Sequence, residues 1–154
     1  MFDLSGMTAL VTGASGGLGS AIAHALAAQG ARIAVSGSNA AKLEAFRSEL
    51  GRGELGGDHV TLICNLSEPA EVNQLIPRAL EALGKLDILV NNAGITRDNL
   101  TMRMKDEEWD EVIAVNLRGP FLISRAFLPA MLAARRGRFV HVASISATLG
   151  SPGA

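Results

Sequence analysis

Tyrosine is absent from the 154 residues, cysteine occurs once, and aromatic residues make up only 4% of the chain. Without tyrosine there is no phenol to move a proton. The lone thiol, Cys64, cannot close an internal disulfide, and its apolar strand-like setting suits a small core residue. No Cys/His spacing suits a metal, so none is expected. Excess charge is missing too: 14 Lys+Arg against 15 Asp+Glu leave a net −1, without the basic surplus that a nucleic-acid partner requires. No apolar run is long enough to span a bilayer, and the first residues lack the basic-then-apolar pattern of a secretory signal. These absences predict a cytoplasmic protein with neither membrane nor nucleic-acid partner. With apolar residues at 48%, the chain reads as one globular α/β domain over residues 1–154.

The chain is organised around Thr8–Gly30. Ala9, Leu10 and Val11 form a strand-like run that breaks into a turn holding Gly13, Gly16, Gly17 and Gly19, then an Ala-rich helical pattern. Leu18, Ile22, Ala25 and Leu26 fall on one face, predicted to pack on a sheet, and Gly30 ends the helix. Glycines let a backbone approach a pyrophosphate closely, and a helix N-terminus offers free N–H groups and a positive dipole end. An anion belongs there, because the turn follows a strand, opens a helix and is followed at once by a second strand, Arg32–Ser36.

Beyond that strand, Asn39 is placed to cap a helix carrying Leu43, Phe46 and Leu50 and ending at Gly51. Residues Arg52–Asp58 read as a surface connection, and His59–Cys64 as a third strand. Ser67 is expected to cap a helix whose Val72, Leu75, Ile76, Ala79, Leu80 and Leu83 point inward, with a kink at Pro77. The fourth strand, Leu86–Val90, is apolar without alternation, as when both sheet faces are covered. A loop over Ile95–Lys105 leads to a helix from Asp106, with Trp109, Val112, Ile113 and Leu117 as its buried stripe and Asn116 on the same stripe. Gly119 and Pro120 should bend it before Phe121–Ala134, and the fifth strand is Arg138–Ala143. Alternating strands and helices predict a doubly wound parallel sheet in the order 3-2-1-4-5, with ligands at the carboxyl ends.

The spacing Thr12, Gly13, then Gly17, Leu18 and Gly19, together with Asn91–Asn92–Ala93–Gly94, resembles the short-chain dehydrogenase/reductase family. The resemblance implies a Rossmann-like fold, here incomplete at about five strands, and a nicotinamide dinucleotide held by Gly13, Ser15, Gly16, Gly17, Leu18 and Gly19. It adds Asn92, Ala93 and Gly94 as cofactor-proximal residues, Asn91 being more structural, although two Asn at a strand end could simply make a turn. Asn65 and Leu66 follow strand three, where the family places an adenine-contacting Asp. An Asn there can still accept from the exocyclic amine. Cofactor choice turns on Ser36, Gly37, Ser38 and Asn39: no carboxylate is present to hold the ribose hydroxyls of NAD or repel a 2′-phosphate. Gly37 and Ser38 are assigned to the cofactor, and NADP is favoured, with NAD as the alternative because Gly16 stands where many NADP-users carry a basic residue.

For catalysis the resemblance implies Ser144, at the end of the last strand, and Asn116, within Val115–Asn116–Leu117. Each has a plainer reading. Ser144 could be a turn residue with Ser146 as its competitor, and Asn116 could make a helix-to-loop bond, since a buried amide left unbonded costs about 1–3 kcal/mol. The family's acid–base pair is a Tyr with a Lys one helical turn later; the chain stops at Ala154, just short of where that motif would begin. It is therefore expected to be the amino-terminal portion of an enzyme, inactive alone. Within the family, Ile95–Ile113 is similar to the 3-oxoacyl-acyl-carrier-protein reductases, which use NADPH in fatty-acid synthesis and are homotetramers. That likeness implies an acidic carrier protein as partner, docked by Arg135, Arg136 and Arg138. The plainer reading of this cluster is a solvated helix end complementing its own dipole. The alternatives are a fragment that only binds nucleotide or other subunits, and another short-chain alcohol or ketone dehydrogenase. His24 and His59 are expected to be solvated or locally bonded, His141 is not assigned to catalysis, and Arg97 and Asp98 are expected to fix their loop.

Overall fold

The computed structural model describes residues 2–52 and 57–149. Residues 53–56, within the connection expected over Arg52–Asp58, lie outside the described residues. One parallel sheet contains β1 (Thr8–Thr12), β2 (Arg32–Gly37), β3 (Val60–Ile63), β4 (Ile88–Asn91) and β5 (Arg138–His141) in the order β3-β2-β1-β4-β5. The expected doubly wound topology is thus present. Successive strands are laid down to one side of β1 through β2 and β3 and then to the other through β4 and β5, which leaves a crevice at the carboxyl ends of β1 and β4.

The apolar strands divide residue by residue between two cores, because successive side chains leave a strand on opposite faces. Ala9, Val11, Ile33, Val35, Ile88 and Val90 pack beneath α1 (Gly17–Ala27) and α2 (Ala40–Leu50). Leu10, Ala34, Leu62 and Leu89 pack beneath α3 (Pro69–Leu83) and the long helix α5 (Gly119–Ala134), which delivers Ile123 and Phe127. Asn39 caps α2 through its Oδ1, which accepts the Lys42 N–H at 2.9 Å. The chain continues as helix through Pro77.

Several local expectations are corrected. The face of α1 that meets the sheet is centred on Gly19, Ala23 and Ala27, with Ile22 and Leu26 packed at its edge as expected, while Leu18 and Ala25 are exposed. Small residues let the helix axis approach the strands, which a Leu18 face would prevent. The cap of α3 is Glu68 with Pro69 at the first helical position, not Ser67. The interruption expected at Gly119 and Pro120 comes one turn earlier, as a π turn over Ala114–Arg118 joining α4 (Asp106–Ile113) to α5, in which the Gly119 N–H bonds the Ala114 carbonyl. The stripe expected to be buried is largely open: Trp109 is 59% and Leu117 62% exposed. Nothing among the described residues covers that face. His59 is buried rather than solvated, and its Nδ1 accepts the Ile33 N–H at 3.0 Å, standing in for a strand carbonyl at the start of the β2–β3 ladder.

At the amino ends of the strands, Asp87 is buried and fully engaged. Its carboxylate accepts the Thr8 N–H at 3.0 Å and hydroxyl at 3.3 Å and pairs with Lys85 and Arg136, each at 3.1 Å. Burial alone would raise its pKa, but the Thr8 N–H, Lys85 and Arg136 together hold it below the ordinary carboxylate value.

Candidate active site

The β1–α1 turn and the strand-four corner are laced into one unit by two side chains. The Thr12 hydroxyl accepts the N–H groups of Asn92 and Ala93, both at 3.1 Å, and the Asn92 amide donates to the carbonyls of Thr12 at 3.0 Å and Gly13 at 3.3 Å. Gly13 has φ +63°, and a Cβ there would come 2.8 Å from Ala93 Cα. On Gly19 a Cβ would fall on the Gly13 carbonyl oxygen, with Asn92 Nδ2 at 2.6 Å. Both positions therefore admit only hydrogen. By contrast, a Cβ on Gly17 would meet nothing within 4 Å, because Gly17 borders open space.

That space is a crevice of about 510 Å³. Every residue assigned to the cofactor from the sequence, from Gly13 in the first turn to Gly94 in the strand-four corner, lies in its wall. No side chain caps the start of α1 and no acidic residue stands in its first turn, so the N–H groups of the Gly17–Gly19 turn and the positive dipole end face the crevice uncompensated. These features fit a dinucleotide diphosphate: a glycine cradle too tight for any side chain, beside N–H donors with no intrahelical partner. At the far wall Asn65 is less free than its type suggests, since its Oδ1 accepts the Ser67 N–H at 3.1 Å. Cys64, also in the wall, is held as a neutral thiol; burial, reinforced by Glu71, pushes its pKa up to about 11.

A second cavity, of about 900 Å³, adjoins the first and shares the Asn92–Ile95 wall with it. Ser144, exposed just beyond β5, lines it together with Asn116, Phe121 and His141. The Ser144 Oγ accepts the Ser146 backbone N–H at 3.2 Å. Asn116 is exposed, not buried, because the π turn swings it away from the core. Its amide is nonetheless fully used: Oδ1 accepts the Ile95 N–H at 2.9 Å and Nδ2 donates to the Ile95 carbonyl at 2.8 Å. This helix-to-loop clamp fixes the boundary between the two cavities. Arg97 adds a second tie, pairing with Glu111 at 2.8 Å. Asn91 lies beneath the site, its amide donating to Ser124 Oγ at 3.1 Å and lying 3.2 Å from His141 Nδ1.

The arginine cluster is not brought to this site. Arg138 opens β5, so Ser144 lies six residues along, a span of up to roughly 20 Å for extended chain. Arg136 is committed to Asp87, and Arg135 caps α5 in a left-handed conformation with φ 50°. Sequence reasoning missed Thr12 as the lace between turn and corner, and Lys42 and Glu111 as crevice walls. The threonine was visible as the residue before Gly13. The other two lay in helical first- and last-turn patterns that read as solvated. Among the described residues there is no cluster of three or more metal-ligating side chains, and no helix is long and apolar enough to cross a membrane.

Comparison with known proteins places this geometry. The family profile described as short chain dehydrogenase matches residues 7–154. The 3-oxoacyl-acyl-carrier-protein reductase FabG of Rickettsia bellii is 44% identical over 154 residues, covering 99% of this chain and 60% of that protein. The protein of the same name from Escherichia coli K12 is 42% identical over 151 residues, covering 98% and 60%. Among solved structures, a metagenomic short-chain oxidoreductase in complex with NADP superposes with a TM-score of 0.90 at 40% identity, over 96% of this chain and 66% of that one. The chain thus spans about 60% of the length of the curated relatives it matches.

Proposed function

The chain belongs to the short-chain dehydrogenase family, and from that premise we propose that the intact protein reduces 3-oxoacyl groups on an acyl carrier protein to 3-hydroxyacyl groups in fatty-acid biosynthesis, with NADPH as reductant. The observation that carries the reading is the meeting of two cavities at Asn92–Ile95: a glycine-cradled crevice of dinucleotide type opens onto a larger cavity where Ser144 waits. The substrate class is supported by the reductases at 42–44% identity and by the Ile95–Ile113 run. NADP is supported by the relative solved with it and by the lack of a carboxylate at the end of β2.

Bound in the crevice, the coenzyme supplies a hydride. The chain's own residues do the rest. Backbone N–H groups at the start of α1 hold the diphosphate, and the Asn116–Ile95 clamp keeps the corner between the cavities in place. The Ser144 hydroxyl bonds the substrate's keto oxygen and orients its carbon toward the crevice. A serine hydroxyl is too weak an acid to deliver the proton. With no tyrosine among these 154 residues, the donor is assigned to the portion of the relatives' length that this chain does not span. Exposed Trp109, Leu117, Phe121, Leu128 and Leu132 form an apolar strip along α4 and α5 that suits association of copies, as a homo-oligomer would require.

The test is NADPH oxidation by the full-length protein with acetoacetyl-carrier protein against simple ketones. Preference for the carrier-borne substrate is expected. Turnover of small ketones alone would make it a different short-chain dehydrogenase, and no turnover with either would overturn the reading.

A further inference from the structure

We propose that Lys42, in the first turn of α2, receives the 2′-phosphate of the dinucleotide in a side cavity between α1 and α2. The inference rests on the coenzyme reading above and names the residue that sets its phosphate preference. The side cavity, about 350 Å³, is bounded by Ser15, Ser20, His24, Lys42, Phe46 and Glu49. Ser15 and Lys42 also belong to the wall of the main crevice. A substituent leaving the crevice at the end of β2, where Gly37, Ser38 and Asn39 line it, therefore passes between a hydroxyl and an ammonium.

Charge points the same way. Of the residues lining the crevice, Lys42 is the cation and Glu111 the anion, and Glu111 is already paired with Arg97 at 2.8 Å. Among the described residues no carboxylate pairs with the Lys42 ammonium. Glu49, on the far side of the cavity, pairs with His24 at 3.5 Å. The corner is also open, since a Cβ on Gly16 would meet only the Gly13 carbonyl oxygen, at 3.4 Å. Gly16 thus leaves room that Lys42 can fill from across the gap. Asn39 anchors the root of Lys42 through its N–H, leaving the four-carbon stem free to swing. A phosphate dianion there would gain a charge-assisted bond from the ammonium and a hydroxyl donor from Ser15. Nothing comparable rewards a bare ribose hydroxyl.

The experiment is calorimetric titration of the full-length protein and its Lys42→Ala and Lys42→Arg variants with NADPH, NADH and adenosine 2′,5′-bisphosphate. Lys42→Ala should weaken NADPH and the bisphosphate about tenfold, the order expected of a partly screened bond to a charged group, and leave NADH unchanged. Lys42→Arg should recover most of the loss. The NADPH affinity of the unaltered protein should also fall more steeply with salt than that of Lys42→Ala. Equal losses for both coenzymes, or none for NADPH, would overturn the assignment of Lys42 while leaving the coenzyme reading intact. An unaltered protein that binds neither coenzyme would overturn that reading first.

Discussion

The two ends of the same sheet are built on opposite principles. At the amino ends of the strands, polar groups satisfy one another: Asp87 answers Thr8, Lys85 and Arg136, and Arg32 answers Asp58 at 2.8 Å. At the carboxyl ends, glycines keep side chains out, and the N–H groups at the head of α1 are left for something else. At one end the charged groups answer one another, with the buried His59 Nε2 left unpaired; the other end is open to a ligand. A charged network closed on itself contributes to holding strands together, whereas an open one is available for recognition.

The sharpest way to break this contrast is at Gly19. Gly19→Val places a side chain onto the Gly13 carbonyl and the Asn92 amide. Coenzyme affinity of the full-length protein should fall at least about a hundredfold by calorimetry, since the cradle must open to admit it. Next in size, Asp87→Ala should act on stability and not on binding. It strips the buried Thr8 N–H of its acceptor, and urea unfolding should show a loss of about 1–3 kcal/mol with NADPH affinity unchanged within twofold. A parallel loss of affinity would mean that the two ends are mechanically coupled.

A smaller effect is expected at Arg135, which lies at the closed end yet carries a charge that no described carboxylate pairs. Arg135→Glu should slow turnover on carrier-bound substrate about fivefold and spare a free thioester analogue, as rim charges act on encounter. Equal loss on both would remove carrier docking from this end of the molecule. The smallest effect concerns His59. Burial, helped by Arg32 and opposed by Asp58, lowers its pKa below 6.5 and keeps the ring neutral so that Nδ1 can accept from Ile33. Because the unfolded chain takes up the proton first, stability is full above pH 6.5 and declines as pH falls from there toward the folded value. The midpoint of urea unfolding should drop between pH 7.5 and 5.5, and His59→Asn should flatten that slope. Asp87 acts in a more acidic window. Its carboxyl is lowered in the folded state, so its contribution is present above the unfolded value of 3.8 and is lost as pH falls through the folded one.

The strand order and the glycine turn were legible in the sequence because both are local: period, punctuation and spacing suffice. The crevice-wall residues at strand ends and turns were legible for the same reason, since parallel topology must gather them on one edge. What escaped depends on partners far along the chain. An amphipathic stripe announces that it wants cover but not what supplies it, so Trp109 and Leu117 read as core and are exposed. His59 looked like a loop histidine, because nothing local shows that its nitrogen replaces a ladder carbonyl 26 residues away. Lys42 looked like any cation near the start of a helix. Only the folding of α2 beside the first turn makes it a wall of two cavities.

The π turn between α4 and α5 sets a limit on how this segment can drift. An α-helix advances about 100° per residue, but a π turn takes one residue more to close, so it absorbs that residue and leaves the helix beyond it in phase. Substitutions at the exposed Leu117 and Arg118 can be absorbed one side chain at a time, unlike those at Asn116, which holds the Ile95 backbone. Deleting a single residue there would leave an ordinary α turn, with Ile123 and Phe127 still facing the core, and would shift Asn116 against the Ile95 backbone it clamps. The alignment of Asn116 with Ile95 is what this stretch has to keep.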